Sequence, residues 1–147
     1  MKTQEPYINW DAENGTATVI LYDRGNAFAG IATCHPDDHD MMSEHTGTSI
    51  AYQRAVINAY KHFRDTEIIP VIKALKHIIG CYANGNGKYD IKSNEAFLVR
   101  RQLKMYENDL AIIREAIADE KARLHEYLTE KEKFYKQVRA NRKKGQK

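Results

Sequence analysis

The sequence predicts an α+β protein: a small N-terminal antiparallel β-sheet, a hairpin or a three-stranded meander, packed on helices, with a long C-terminal helix forming a dimeric coiled-coil-like interface. Three observations carry this. Two β-rich runs between Thr16 and Cys34 flank the turn residues Asp23, Arg24, Gly25 and Asn26, and Gly and Asn supply the backbone angles of a tight hairpin turn. From Gly47 to Phe63, apolar residues recur at helical spacing. From Ser93 to Arg142 no Pro or Gly interrupts the chain. One domain over residues 1–142 is expected, with the sheet in 5–35, helices in 47–80, the long helix in 93–142 and a frayed basic tail in 143–147.

Each element has its own signal. "YINW" before "DAENG" adds a third strand to the hairpin, making a meander. In the last strand Phe28, Gly30, Ala32 and Cys34 share one face by the two-residue period. Three of these four are small, so another element approaches that face closely, most cheaply a helix. Ile50, Ala51, Ala55, Val56, Ala59, Tyr60 and Phe63 define the apolar face of an amphipathic helix. Pro70 then kinks the following helical stretch or restarts it with Pro70 in the first turn. Gly80 is its stop, and "CYANGNGKYDIKS" reads as a loop. Ser93 offers an N-cap to the long helix, with Glu95 placed where the dipole favours negative charge. Along that helix Leu103, Tyr106, Leu110, Ile113, Ile117, Glu120, Leu124, Tyr127, Lys131, Phe134 and Val138 alternate at intervals of three and four, the seam of a coiled coil. The seam packs on the chain's own helices and on a second copy, giving a homodimer or a higher homo-oligomer.

Composition narrows the function classes. The 147 residues hold 23 Lys and Arg against 20 Asp and Glu, a formal charge of +3 and a pI near 8.8. That excess is mild and concentrates in "KQVRANRKKGQK", so the balance does not mark a nucleic-acid protein. Without an apolar leader or spanning segment, a cytoplasmic protein with no membrane association and two free thiols, Cys34 and Cys81, is expected.

The densest cluster of chemical groups is "GIATCHPDDHD", residues 30 to 40. Cys34, His35, Asp37, Asp38, His39 and Asp40 carry metal donor atoms, yet structural zinc needs four ligands and no complementary Cys/His pair exists. The competing reading is that Pro36 ends the strand and an Asp caps a turn. Cys34 and His35, as strand neighbours, point to opposite faces and make a poor catalytic pair. "NGNGK" lacks the spacing of a phosphate-binding loop. No catalytic residue, metal site or cofactor is therefore assigned. Arg54 stands in an apolar helical stretch, where its charge needs either a partner such as Asp38 or a ligand phosphate. On the long helix Arg100, Arg114 and Lys121 fall at e positions and Arg123 at g. They flank the seam and serve either interhelical ion pairs or, beside an aromatic such as Phe97, Tyr106 or Tyr127, a nucleotide.

Residues 30 to 55 resemble a pattern of short phage and prophage proteins of Gram-positive bacteria, G-x-A-x-C-x-P-x-D, a Gly, then A-x-x-R-A opening a helix. Here the matching positions are Gly30, Ala32, Cys34, Pro36, Asp38, Gly47, Ala51, Arg54 and Ala55. With a β-hairpin before it and a long charged helix after it, the layout is similar to the first-described type of Thoeris anti-defence protein. The resemblance implies a non-catalytic sponge in the infected bacterial cell that sequesters a cyclic ADP-ribose isomer intact, so that the immune effector stays inactive. It also implies oligomers assembled through the helices, an interfacial ligand pocket and, in some members, sites for cyclic oligonucleotides. Arg54 carries over by position. Beside it, one or more of Arg100, Arg101, Arg114 and Arg123 would neutralise the pyrophosphate, Phe97 or Tyr106 would stack on adenine, and Asn108 would read polar edges.

Three rivals come from other classes. A phage inhibitor would bind a host protein through the long helix, a nucleic-acid accessory protein would use the basic tail, and an enzyme would hydrolyse the same signal.

Overall fold

The hairpin expected around Arg24 and Gly25 forms, and "YINWD" joins it as a third strand. A computed structural model describes residues 4–35, 38, 43–83 and 94–145. The chain divides into two compact units, Met1–Ala59 with Ala118–Lys147, and Tyr60–Ile117.

In the first unit, strands β1 (Tyr7–Asp11), β2 (Thr16–Asp23) and β3 (Asn26–Thr33) make an antiparallel meander in the order β1-β2-β3. The register pairs Asp23 with Asn26, so the loop is Arg24 and Gly25 alone. Both have positive φ, 48° and 80°, as a two-residue turn matched to the twist of the strands requires. The β1–β2 turn is held by Asp11, whose carboxylate accepts from the backbone N–H groups of Glu13 and Asn14 and, at 2.7 Å, from the Asn14 side-chain amide.

One face of the sheet is the core face. Ala17, Val19, Ala32 and Cys34 are buried there with Ile50, Ala51 and Ala55 of helix α1 (Glu44–Phe63), and Trp10, Leu21, Leu124, Tyr127 and Leu128 pack around them. The small-residue stripe of β3 does what its composition predicts. A Cβ on Gly30 would strike the backbone carbonyl of Ala51, so α1 lies against β3 at backbone distance. Because β3 is an edge strand, its outward carbonyls need donors. Asn58 donates to the Ala29 carbonyl at 2.8 Å and Arg54 to that of Ile31 at 2.7 Å.

Helix α1 begins at Glu44, before the expected start at residue 47. Ser43 caps it: its Oγ accepts from the Thr46 N–H at 3.1 Å and donates to Thr46 Oγ1 at 2.9 Å. At its far end the helix passes into one π turn, Arg64–Ile68, where the Ile69 N–H donates to the Arg64 carbonyl. Helix α2 (Ile69–Ala83) follows, with Pro70 in its first turn. The five-residue step ahead of the proline offsets its missing N–H, so of the two expectations the restart holds. Gly80 does not stop α2, which runs on through Ala83. No positive φ is found at Gly80, so it lacks the left-handed conformation of a C-cap glycine.

The second unit is helical. Ile68 and Ile72 share a core with Ile113 and Ile117 of helix α3 (Asn94–Gly145), wrapped by Tyr60, Leu103, Tyr106 and Leu110. Lys76 and Glu107 add an exposed ion pair at 4.0 Å. The 52 residues of α3 include three positions assigned to the tail. Its seam residues from Leu103 to Ile117 pack in the second unit, and Leu124 and Tyr127 pack in the first. From Leu103 to Tyr127 the apolar residues of the seam expected to pair two copies are thus engaged within the chain, whereas Phe134 is exposed. No described helix is long and apolar enough to cross a membrane. The loop from 84, the Ser93 cap, Pro36, Asp37, His39 and Asp40 lie outside the described residues.

Candidate functional site

The end of β3 and the residues just after it form one wall of a cavity of about 400 Å³ in the first unit. Ala32 to His35 and Asp38 line one side, Ile50 and Arg54 of α1 a second, and Leu128, Lys131, Glu132, Tyr135 and Arg139 of α3 the third. Local sequence rules produce this arrangement. Strand alternation buries Cys34 and exposes His35. Ile50 and Arg54 are one turn apart on α1, while Lys131, Tyr135 and Arg139 repeat every four residues along one face of α3.

The electrostatics favour an anion. Arg54, Lys131 and Arg139 bring three cations against the carboxylates of Asp38 and Glu132. Arg54 spends Nη1 on the Ile31 carbonyl and keeps the remaining donors of its fork. Its anticipated partner Asp38 instead faces Arg139, with Oδ1 at 3.4 Å from Nε. Lys131 Nζ stands 5.4 Å from the centre of the Tyr127 ring. Glu132 meets Lys136 at 3.5 Å. Burial pushes the Tyr135 phenol above its ordinary pKa, and the charges of Cys34, Tyr127 and Asp38 add to the effect. Tyr135 therefore presents a protonated hydroxyl and a ring to the cavity at neutral pH.

Of the ligand-binding residues expected from the sequence, Arg54 lines this cavity and the others do not. Arg123 donates to Glu120 one turn back at 3.1 Å, satisfying within its own helix the ion pair expected across a seam. Phe97, Arg100, Arg101, Tyr106, Asn108 and Arg114 belong to the second unit. There Tyr106 packs in the core, and Arg100, Arg101, Asn108 and Arg114 are exposed. Phe97 is 64% exposed, with no enclosing wall to hold a base. At a rise of about 1.5 Å per residue, Phe97 and Arg114 lie about 25 Å apart along α3, too far to hold one small nucleotide from a single chain.

Sequence reasoning missed Lys131, Glu132, Tyr135 and Arg139 as site residues. Lys131 carried a signal, since it is a polar residue in the apolar seam. Lys131, Tyr135 and Arg139 also mark a cationic and aromatic face at four-residue spacing.

A second cavity of about 500 Å³ lies in the same unit between Ile8 and Val19 of the sheet, α1 residues Thr48, Ser49, Tyr52, Gln53 and Val56, and Glu120. Gln53 donates to the Glu120 carboxylate at 3.1 Å. The carboxylate on that wall, Glu120, is already paired with Arg123 at 3.1 Å.

Among the described residues no group of three or more His, Cys, Asp or Glu is placed to hold a metal ion. Comparison of the chain with protein-family models, with curated proteins and with solved structures finds no match.

Proposed function

We propose that the protein binds a cyclic ADP-ribose isomer in the Arg54 cavity and sequesters it without degrading it, as a phage counter-defence sponge acting in the bacterial host cell. One observation carries this reading. The Arg of the A-x-x-R-A pattern, Arg54, stands in the wall of a nucleotide-sized cavity with Lys131, Arg139 and the Tyr135 ring. Three cations suit a pyrophosphate, an aromatic wall suits a base, and the volume falls within the range of about 300–1,000 Å³ typical of ligand sites. Catalysis has no part in the proposal, and the protein works by mass action at high affinity.

Titration calorimetry of the protein with a panel of cyclic ADP-ribose isomers tests it, followed by mass spectrometry of the nucleotide released on heating. Tight binding with intact recovery is the expected outcome. A changed mass would reveal a hydrolase, and no binding to any isomer would sink the proposal. The same panel extended to cyclic oligonucleotides tests for a second ligand class.

A second reading has its own observation. Leu98, Met105 and Ile112 repeat every seven residues on α3 and are each more than half exposed. Such a stripe is the surface with which a helix pairs with another helix. A second copy is the occupant that fits the oligomer expected of a sponge. A host protein is the occupant in the inhibitor reading, and a monomer that captures no cyclic nucleotide would favour it.

A further inference from the structure

The two edges of the sheet are finished differently. On β3 the outward carbonyls of Ala29 and Ile31 are covered by Asn58 and Arg54 of α1. Those carbonyls fix the sense of the whole ladder, because an antiparallel strand turns alternate residues toward opposite neighbours. Ala29 and Ile31 face away from β2, so Gly30 between them faces β2, opposite Val19. Thr18 and Ile20 then face β1, where they pair with Asn9 and Tyr7. The backbone N–H and C=O groups of Ile8 and Trp10 are left pointing out of the sheet. Among the described residues no hydrogen bond reaches these outward groups. β1 also lacks the devices that close an edge. Tyr7 to Trp10 carries no charge and no Pro, and the register with β2 runs from Tyr7 to Asp11 without a bulge.

We infer that the β1 edge is a self-pairing surface, at which two copies of the chain join antiparallel, β1 to β1, into one continuous sheet about a two-fold axis at Asn9. The inference rests neither on the ligand-binding reading nor on the α3 stripe. The occupant is a second copy because this edge is complementary to itself in one register. With Asn9 opposite Asn9, Ile8 lies opposite Trp10 of the second copy and Trp10 opposite its Ile8, so that the outward N–H and C=O groups are satisfied in both directions. Centring the pair on Ile8 would set Trp10 against Pro6, which has no N–H to give. Centring it on Trp10 would set Ile8 against Ala12, which lies past the end of the strand. Charge agrees with the Asn9 register. Asp11, the one charged residue of β1, falls opposite Tyr7 and not opposite itself, which would be repulsive. Apolar surface agrees as well. Ile8 and Trp10 share one face of β1, and Ile8, opposite buried Val19, is 54% exposed at the margin of the second cavity. Pairing places Trp10 of the second copy beside that exposed side chain. Five residues a side bury far less than the roughly 800 Å² per partner of a standard interface, so the contact is weak and fills at high concentration.

Disulfide trapping suits such a contact. Residues opposed in a non-hydrogen-bonded pair stand about 4.5 Å apart at Cα, within the roughly 4.4–6.8 Å that a disulfide spans. In the Asn9 register Tyr7 stands about 14 Å from its own copy, four residues along at about 3.4 Å each. The full chain is used with Cys81→Ser, because Cys81 is an exposed thiol whereas Cys34 is buried. Asn9→Cys and Tyr7→Cys in that background are incubated with oxidised glutathione over a concentration series, and the linked dimer is read on non-reducing gels. Asn9→Cys is expected to cross-link at least about tenfold faster than Tyr7→Cys, and adding Ile8→Pro should slow it about tenfold. The proline substitution removes only an outward N–H, so the bonds of β1 to β2 are kept. Equal rates at the two positions would overturn the proposal, since collision alone would explain them. So would an Asn9→Cys rate unchanged by Ile8→Pro in a chain that circular dichroism shows to be folded. Where Ile8→Pro does not fold, the comparison of the two cysteine positions decides alone.

Discussion

Gly30 and Arg54 each tie helix α1 to the edge strand through a single residue. Replacing Gly30 by Val drives a side chain into the Ala51 backbone carbonyl, which cannot move without unseating α1. A loss of about 2–3 kcal/mol in urea unfolding is expected, the upper part of the overpacking range. Arg54 holds the Ile31 carbonyl and faces the cavity, so Arg54→Ala is expected to lower both stability and ligand affinity. Asn58→Ala separates the two effects. It removes the neighbouring bond to the Ala29 carbonyl without touching the cavity, and should cost about 1 kcal/mol of stability with affinity unchanged in the same titration. Asp11 adds a pH dependence. The Asn14 side-chain amide, followed by the Asn14 backbone N–H, holds its carboxyl below the ordinary value. A carboxylate with a depressed folded-state pKa stabilises above its unfolded pKa and loses that contribution as pH falls through the folded value. The first turn should weaken below about pH 4. In thermal melts from pH 6 to 2, Asp11→Ala should be flatter than the unmodified protein.

At the scale of elements, the edge strand and its helix are mutually dependent. β3 supplies a small face so that α1 can approach, and α1 returns two side-chain donors to the open carbonyls of β3. That exchange blunts the edge against pairing with another strand. The start of α1 rests on a local cap, so Ser43→Ala is expected to cost about 1 kcal/mol, read from the denaturant midpoint at constant slope. The β3–α1 contact was legible from residues alone, because a strand face of Gly, Ala and Cys has few other uses. Cap and start of α1 were less so, since Gly47 suggested a later beginning while Ser43 supplied the stronger signal. Gly80 misled for the opposite reason: a glycine can remain inside a helix in ordinary helical conformation.

Across the whole molecule, α3 contributes seam residues to both compact cores, Ile113 and Ile117 to one, Leu124 and Tyr127 to the other. A helix already packed along its seam needs a different face to pair with a second copy. The exposed stripe of Leu98, Met105 and Ile112 is the face proposed above for that pairing. Met105→Glu together with Ile112→Glu should convert a dimer to a monomer in analytical ultracentrifugation while leaving helicity unchanged. An unmodified protein that sediments as a monomer would remove the basis for the stripe as a self-pairing surface.

The sequence by itself determined the α+β class, the meander, the close helix–strand contact and the long helix, because each follows from local periodicity, turn chemistry or side-chain size. It also brought Arg54 forward. The tertiary structure alone decided what surrounds Arg54. Lys131, Tyr135 and Arg139 come from a helix whose nearest end in sequence to Arg54 begins some 40 residues later, and periodicity states which residues share a helix face but not what that face meets. Hence the basic and aromatic residues near the start of α3 looked like the site, while those near its end line the cavity. That no described group donates a hydrogen bond to Asp38 Oδ1 was equally invisible from sequence. A carboxylate's hydrogen bonds depend on angles as well as neighbours, and only the folded chain turns the Arg139 N–H away from it.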